Sequence, residues 1–303
     1  MDWFWLAFIS AVFSAVSAVY EKKALFSSDP LNFTFLISLI TLLFSLPFFG
    51  MVQYGNIFSE SMLVLLLKTL LNAAAFLFVM YSIKNLEISE ALPLLALTPG
   101  FVAILGAILI NDYLTVLEWS GIFLMLTGTV ILESQKHVNR SEKPGGLLRD
   151  YLKIFTSLFR FSKYTYVIIA LILFTITSLL DRILLTDLKL SPYTFMAFQQ
   201  LFFAVIFTIV VLIRQKGVIR PVLAIPKEMV YLLIIVSVST VIYRFTQLEA
   251  TKLAPVALVL SVKRLSVLMA VVFGGKLFRE HELVRRVIAV IIILAGAAVL
   301  LNL

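Results

Sequence analysis

The chain has 303 residues, 61% hydrophobic and 14% charged, with 25 Lys+Arg against 17 Asp+Glu and a net charge of +8. Soluble globular chains run at about 45–50% and about 25% respectively, so two soluble domains, the ordinary reading of this length, are excluded for want of polar surface. The absence of cysteine also excludes disulfides, zinc–thiolate sites, iron–sulfur clusters and S-palmitoylation.

A spanning helix needs about 20 mostly apolar residues. Ten such stretches follow one another: 3–20, 31–50, 61–83, 90–110, 114–133, 165–181, 192–213, 229–247, 253–275 and 284–302. Backbone polar groups in lipid must be satisfied internally, which leaves helices or a closed barrel. Runs this long without alternation are not barrel strands. The expected fold is an all-α integral membrane protein with ten transmembrane helices. The first stretch, starting at Trp3 without a basic leader or clear cleavage site, is read as a retained helix.

The longest connection divides the chain into a first five-helix unit, 1–134, a basic connecting loop, 135–164, and a second five-helix unit, 165–303. The loop holds the flexible break Pro144-Gly145-Gly146. Beyond it, Tyr151, Phe155, Leu158 and Phe159 share one helical face, with Arg149, Lys153, Arg160 and Lys163 elsewhere. That pattern suits a helix lying on an anionic membrane surface.

The halves echo each other. Tyr81 to Glu87 matches Tyr243 to Glu249 at an offset of 162, with Pro93 and Pro255 each six residues past the acid. Asp112 and Gly128 match Glu280 and Gly296, and Glu21-Lys22 echoes Asp181-Arg182. Two copies of a five-helix unit must cross the membrane in opposite senses, so two inverted repeats are expected, an architecture of secondary transporters.

In the apolar, Pro-containing fourth and ninth stretches the chain resembles the EamA-type members of the drug/metabolite transporter superfamily. The residues that carry the resemblance run from Ala91-Leu92-Pro93 through Pro99-Gly100 to Asp112, and from Ala254-Pro255 through Lys263-Arg264 to Glu280. Each is followed by a Gly-containing last helix, with Gly121 and Gly128, then Gly296. The resemblance spans nearly the whole chain and implies a ten-helix transporter; it says hardly anything of substrate.

Charge gives an orientation. Eighteen Lys/Arg follow the odd-numbered stretches, Arg285 and Arg286 at the head of the tenth included, and three follow the even-numbered ones. Positive residues collect on the cytoplasmic side, which puts both termini outside, whereas the resemblance more often implies cytoplasmic termini. The same rule accounts for the net charge, so nucleic acid is not an expected partner.

Charges within a bilayer are costly, about 2.5–3.5 kcal/mol on insertion scales, and mark function by default. Lys263 and Arg264 stand near the middle of the ninth stretch, about 100° apart around a helix. One is expected to bind an anionic or carboxylate-bearing substrate while the other pairs with protein. Alternatively both are structural, satisfied by helix-terminal carbonyls or by Asp181 or Glu90. Arg244 and Lys68 are read as snorkelling to the interface, Arg244 remaining a substrate-site candidate along with Asn72 and Gln199; Gln200 is similar. Pro93, Pro99 and Pro255 remove backbone donors and are candidate hinges. Glu21, Glu90, Asp181 and Arg182 are candidates for charge pairing or coupling. Ser10, Ser14 and Ala18 suit close helix packing.

His137 and His281, the two imidazoles, lie in polar connections, so neither a metal nor a cofactor is expected. No Walker P-loop, His-Glu-x-x-His or Gly-x-Ser-x-Gly pattern occurs. The leading expectation is a non-enzymatic secondary transporter, exporter or exchanger, of a small organic solute such as an amino acid, working by alternating access in the plasma or inner membrane. A receptor or accessory subunit, and a lipid-modifying enzyme, are the other readings. Small-molecule substrate and membrane lipid are the expected partners. Proton or counter-substrate coupling, and a monomeric or homodimeric state, stay open.

Overall fold

A computed structural model describes residues 2–52, 54–56, 58–98, 100–101, 104–105, 115–133, 164–215, 226–254 and 256–300. Eleven α-helices are named here among these: α1 (Trp3–Leu25), α2 (Pro30–Phe49), α3 (Ser59–Asn85), α4 (Ile88–Leu95), α5 (Val116–Glu133), α6 (Thr165–Arg182), α7 (Pro192–Arg214), α8 (Lys227–Leu253), α9 (Val256–Lys263), α10 (Leu265–Leu277) and α11 (Leu283–Leu300). No strand occurs among the described residues. Among the described residues, six helices are long and apolar enough to cross a membrane: α1, α2, α3, α7, α8, and α6 with the π-helical turn Ile183–Asp187. The expected surface helix around 149–163, together with Pro99, Asp112 and Pro255, lies outside the described residues.

Local chemistry fixes the helix starts. Asp29 caps α2, accepting hydrogen bonds from the Leu31 and Asn32 amides, and Pro30 follows at the first helical position. Ser191 caps α7 in the same way through the Thr194 amide, with Pro192 next. A side-chain oxygen satisfies an orphan N–H, and proline there forfeits no bond.

The helices pair along their lengths: α1 against α8, α3 against α6, α2 against α7 and α5 against α11. The α5–α11 seam depends on two glycines. A Cβ at Gly128 would stand 2.8 Å from the Ala289 carbonyl oxygen, and one at Gly296 would stand 2.6 Å from the Met125 amide nitrogen. Glycine thus lets the two backbones touch, the usual device where lipid offers no hydrophobic drive for helix association.

Helix ends also correct the register between halves. α1 and α2 begin 162 residues before α6 and α7, as the Tyr81/Tyr243 match suggests. From α3 onward the spacing is 168: α3 and α8 each run 27 residues, α4 and α9 each run eight, and Gly128 and Gly296 keep it too. The extra residues enter at the end of α7 and the connection after it. Tyr81 and Tyr243 are therefore six residues out of register in the fold.

The fourth and ninth stretches are not continuous helices. α4 ends at Leu95, a turn occupies Ala96 and Leu97, and helix resumes at Thr98. α9 ends at Lys263, Arg264 forms the break, and α10 resumes at Leu265. Ala96 and Arg264 stand 168 apart, so the two breaks correspond. Neither coincides with a proline: Pro93 lies inside α4.

Candidate functional site

Leu95, just before the first break, and Lys263 and Arg264 at the second line a cavity of about 210 Å³ between α1, α3, α4, α6, α8, α9 and α10. One wall is charged. Asp181, next to the last residue of α6, is 2.8 Å from Lys68 on α3 and 3.7 Å from the Arg244 guanidinium on α8. Arg244 donates to Gln199 on α7 at 3.1 Å and to Gln247 on its own helix at 3.4 Å. Lys263 donates to the same Gln247 oxygen at 2.5 Å, and its ammonium stands 4.8 Å from the centre of the Tyr243 ring. Arg264 keeps a buried Nε with no hydrogen-bond partner among the described residues.

Four cations, Lys68, Arg244, Lys263 and Arg264, thus gather where the acids are Asp181 and Glu21. Glu21 is 5% exposed and accepts a hydrogen bond from Ser17 one turn back at 2.7 Å. The excess positive charge sits among low-dielectric walls, where an uncompensated cation is most costly. A bound anion would relieve that cost.

A second cluster joins α1, α3, α4 and the start of α11. Glu280 accepts from the amides of Ile88 at 2.7 Å and Ser89 at 3.0 Å, and from the Ser89 hydroxyl. It thereby caps α4 from 192 residues away, a carboxylate on the positive end of a helix dipole. Arg286, in the first turn of α11, pairs with Glu87 and, at 3.4 Å, with Glu90. Lys22 donates at 2.6 Å to each of the carbonyls of Ile83 and Leu86, where α3 ends. The turn that presents Glu280 is strained, since Arg279 and Glu282 have φ of 52° and 55°. Non-glycine residues hold such angles only when their surroundings fix them.

The sequence candidates divide accordingly. Lys263, Arg264, Arg244, Asn72, Asp181 and Glu21 line the main cavity. Gln199 and Gln200 line a smaller adjoining one of about 40 Å³, which Asn72 and Arg244 share. Arg182 is exposed, apart from the site, and Glu90 joins Arg286 instead of reaching Lys263 or Arg264. Snorkelling does not describe Lys68, which is 0% exposed, lies 4.8 Å from the Phe195 ring centre and is ion-paired inside the bundle. Nor does it describe Arg244. Gln247, Tyr243, Glu87, Ser89 and Arg286 were not among the candidates. Among the described residues, no group of three or more His, Asp or Glu side chains comes together to hold a metal ion.

These features define a multi-pass helical membrane protein with a charged cavity buried between its helices. The chain belongs to the EamA-like transporter family, whose model matches residues 1–134 and 161–302. The family is one of membrane transporters, which implies a small-molecule substrate and a lipid surrounding, and it is generally non-enzymatic. A search of curated proteins gave no match. A solved structure titled only "Crystal structure of protein" shares the fold, with a TM-score of 0.62 at 15% identity over 98% of this chain and 95% of that one.

Proposed function

We propose that the chain is a secondary transporter of a small organic anion, exporting or exchanging it across the plasma or inner membrane by alternating access. Ten helices in two inverted five-helix units, 1–134 and 165–303, joined by the basic segment 135–164, form its frame. What supports the frame is the exchange of helix pairs between halves. Shifting each helix to its counterpart turns α1–α8 into α6–α3, while α2–α7 and α5–α11 map onto themselves. Two near-equivalent halves can trade inward-open and outward-open roles around a site between them.

The observation that carries the reading is the basic lining at the helix break: Arg264, Lys263 and Arg244 line one cavity, and neither Arg264 nor Lys263 is ion-paired with an acid among the described residues. Cations held in a low-dielectric cavity without a paired acid favour an anionic ligand, whereas a purely structural cation would have its acid in place. The test is counterflow in proteoliposomes preloaded with pools of unlabelled carboxylic acids, amines or sugars. Accumulation of labelled acid, and not of amine or sugar, is expected. Accumulation restricted to amines or sugars would refute the anion, and no accumulation by folded protein would refute the carrier. Flux also separates this reading from a receptor or accessory subunit.

A further inference from the structure

The cavity is lopsided, and the register between halves shows how. Residues 168 apart occupy corresponding positions, so Phe76 of α3 answers Arg244 of α8, Val79 answers Gln247, and Leu95 of α4 answers Lys263 of α9. All six line the one cavity. In each pair the first half supplies an apolar side chain and the second half a polar or cationic one. The apolar members are firmly seated: Leu95 is 7% and Val79 6% exposed, and the Phe76 ring packs edge-on against Phe203 at 5.8 Å between centres. At these three positions the first half gives an apolar lining where the second gives a basic or polar one, while Ser14, Ser17, Glu21 and Asn72 add polar groups elsewhere.

A ligand filling this space meets two different solvents. A fully polar anion, such as a dicarboxylate or a sugar acid, would leave hydroxyls or a second charge against Phe76 and Leu95, without hydrogen-bond partners there. A solute with one anionic head and one apolar body satisfies both kinds of lining at once. Volume restricts the body further: about 210 Å³ is below the roughly 300–1,000 Å³ of drug-sized pockets. A short alkyl chain or a single ring suits it.

The geometry points to a small amphipathic carboxylate as the substrate class, its carboxylate toward Lys263, Arg264 and Arg244 and its apolar body toward Phe76, Val79 and Leu95. This rests on the anion reading above and narrows it.

The test uses the purified full-length protein in detergent, titrated with acetate, butyrate, hexanoate, phenylacetate, succinate and the neutral hexanamide, with ligand-induced thermal stabilisation as the readout. Affinity is expected to rise from acetate to hexanoate by up to about fourfold per methylene, the equivalent of about 0.8 kcal/mol per buried CH₂. Succinate should trail butyrate, and hexanamide should trail hexanoate. In Leu95→Ser and Phe76→Ser the hexanoate-to-acetate ratio should fall, whereas Lys263→Ala should weaken every acid and leave the ratio standing. A flat or inverted chain-length series, or succinate ahead of butyrate, overturns the amphipathic assignment while leaving an anion transporter in place. Hexanamide equal to hexanoate, or no stabilisation by any acid, overturns the anion reading and this proposal with it.

Discussion

Lys68 on α3 and Asp181 on α6 form an ion pair at 2.8 Å, with their side chains 1% and 15% exposed. They tie the first half of the chain to the second beside the cavity, and Asp181 also restrains Arg244 at 3.7 Å. Removing one member strands the other. Breaking a buried pair costs about 3–5 kcal/mol, mostly through the charge left behind, whereas replacing both by apolar groups costs far less. Lys68→Met and Asp181→Leu should each lower the thermal midpoint of the detergent-solubilised protein, and the double variant should recover most of the loss. Additive losses would mean that the two side chains are not coupled.

Neutralising either break-site cation should impair transport without preventing folding. The Arg264 side chain caps no helix and neither residue carries an ion pair among the described residues, so Arg264→Ala removes charge from the cavity lining and Lys263→Ala removes charge together with its contacts to Gln247 and Tyr243. A charge-assisted hydrogen bond contributes about 1.5–3 kcal/mol, which corresponds to roughly a 10- to 150-fold loss in carboxylate uptake efficiency. Counterflow in proteoliposomes, normalised to reconstituted protein, measures it. Wild-type rates in both variants would remove these residues from the site.

The Glu280–Arg286 cluster should act as a seal at the basic end of the bundle. Arg286→Ala removes the cation nearest to Glu87, Glu90 and Glu280 and leaves these neighbouring carboxylates with Lys22. Their repulsion would push α4 away from α10 and α11. The chain has no cysteine, so Leu92→Cys, facing the cavity, reports alone. Labelling by a membrane-impermeant maleimide from the basic side should rise in the Arg286→Ala background. Unchanged labelling from that side would mean that Arg286 does not hold the seal.

How far this could be read from the sequence varies by residue. Hydropathy located the long helices because lipid demands unbroken apolar runs, and Lys263 and Arg264 drew attention because lipid tolerates so few charges. The breaks themselves were hidden. Proline was the expected breaker, yet the turn at Ala96 and Leu97 follows Pro93 by a few residues and the one at Arg264 has no proline beside it. Lys68 was misread because depth along a helix does not say which way a side chain points; its partner lies 113 residues away on α6. Arg286 read as one of the basic residues that set orientation and Glu280 as the acid ending the ninth stretch, because a cap formed across 192 residues leaves no local pattern. The sequence already offered both offsets, 162 at Tyr81 and Tyr243 and 168 at Gly128 and Gly296, and the helix ends show that the change falls before α3 and α8, earlier than those tyrosines suggested.

The α5–α11 seam gives the last expectation. Gly128 faces Ala289 and Ile293, while Gly296 faces Gly121 and Met125, so each glycine meets the counterparts of the residues its partner meets. A methyl at Gly296 would stand 2.6 Å from the Met125 amide nitrogen and 2.7 Å from the Gly121 oxygen, both backbone atoms that cannot rotate away. Gly296→Ala must therefore spread the two helices, and overpacking of this kind costs about 1–3 kcal/mol. Gly128→Ala meets the Ala289 oxygen at 2.8 Å and should behave alike. At Gly55 a Cβ would have nothing within 4 Å, so Gly55→Ala is the matched control. Thermal unfolding in detergent should drop for both seam variants and hold for the control. The two seam losses should also be less than additive, because helices already spread by one methyl have room for the second. Fully additive losses would show that each glycine packs separately and that the two do not share one seam.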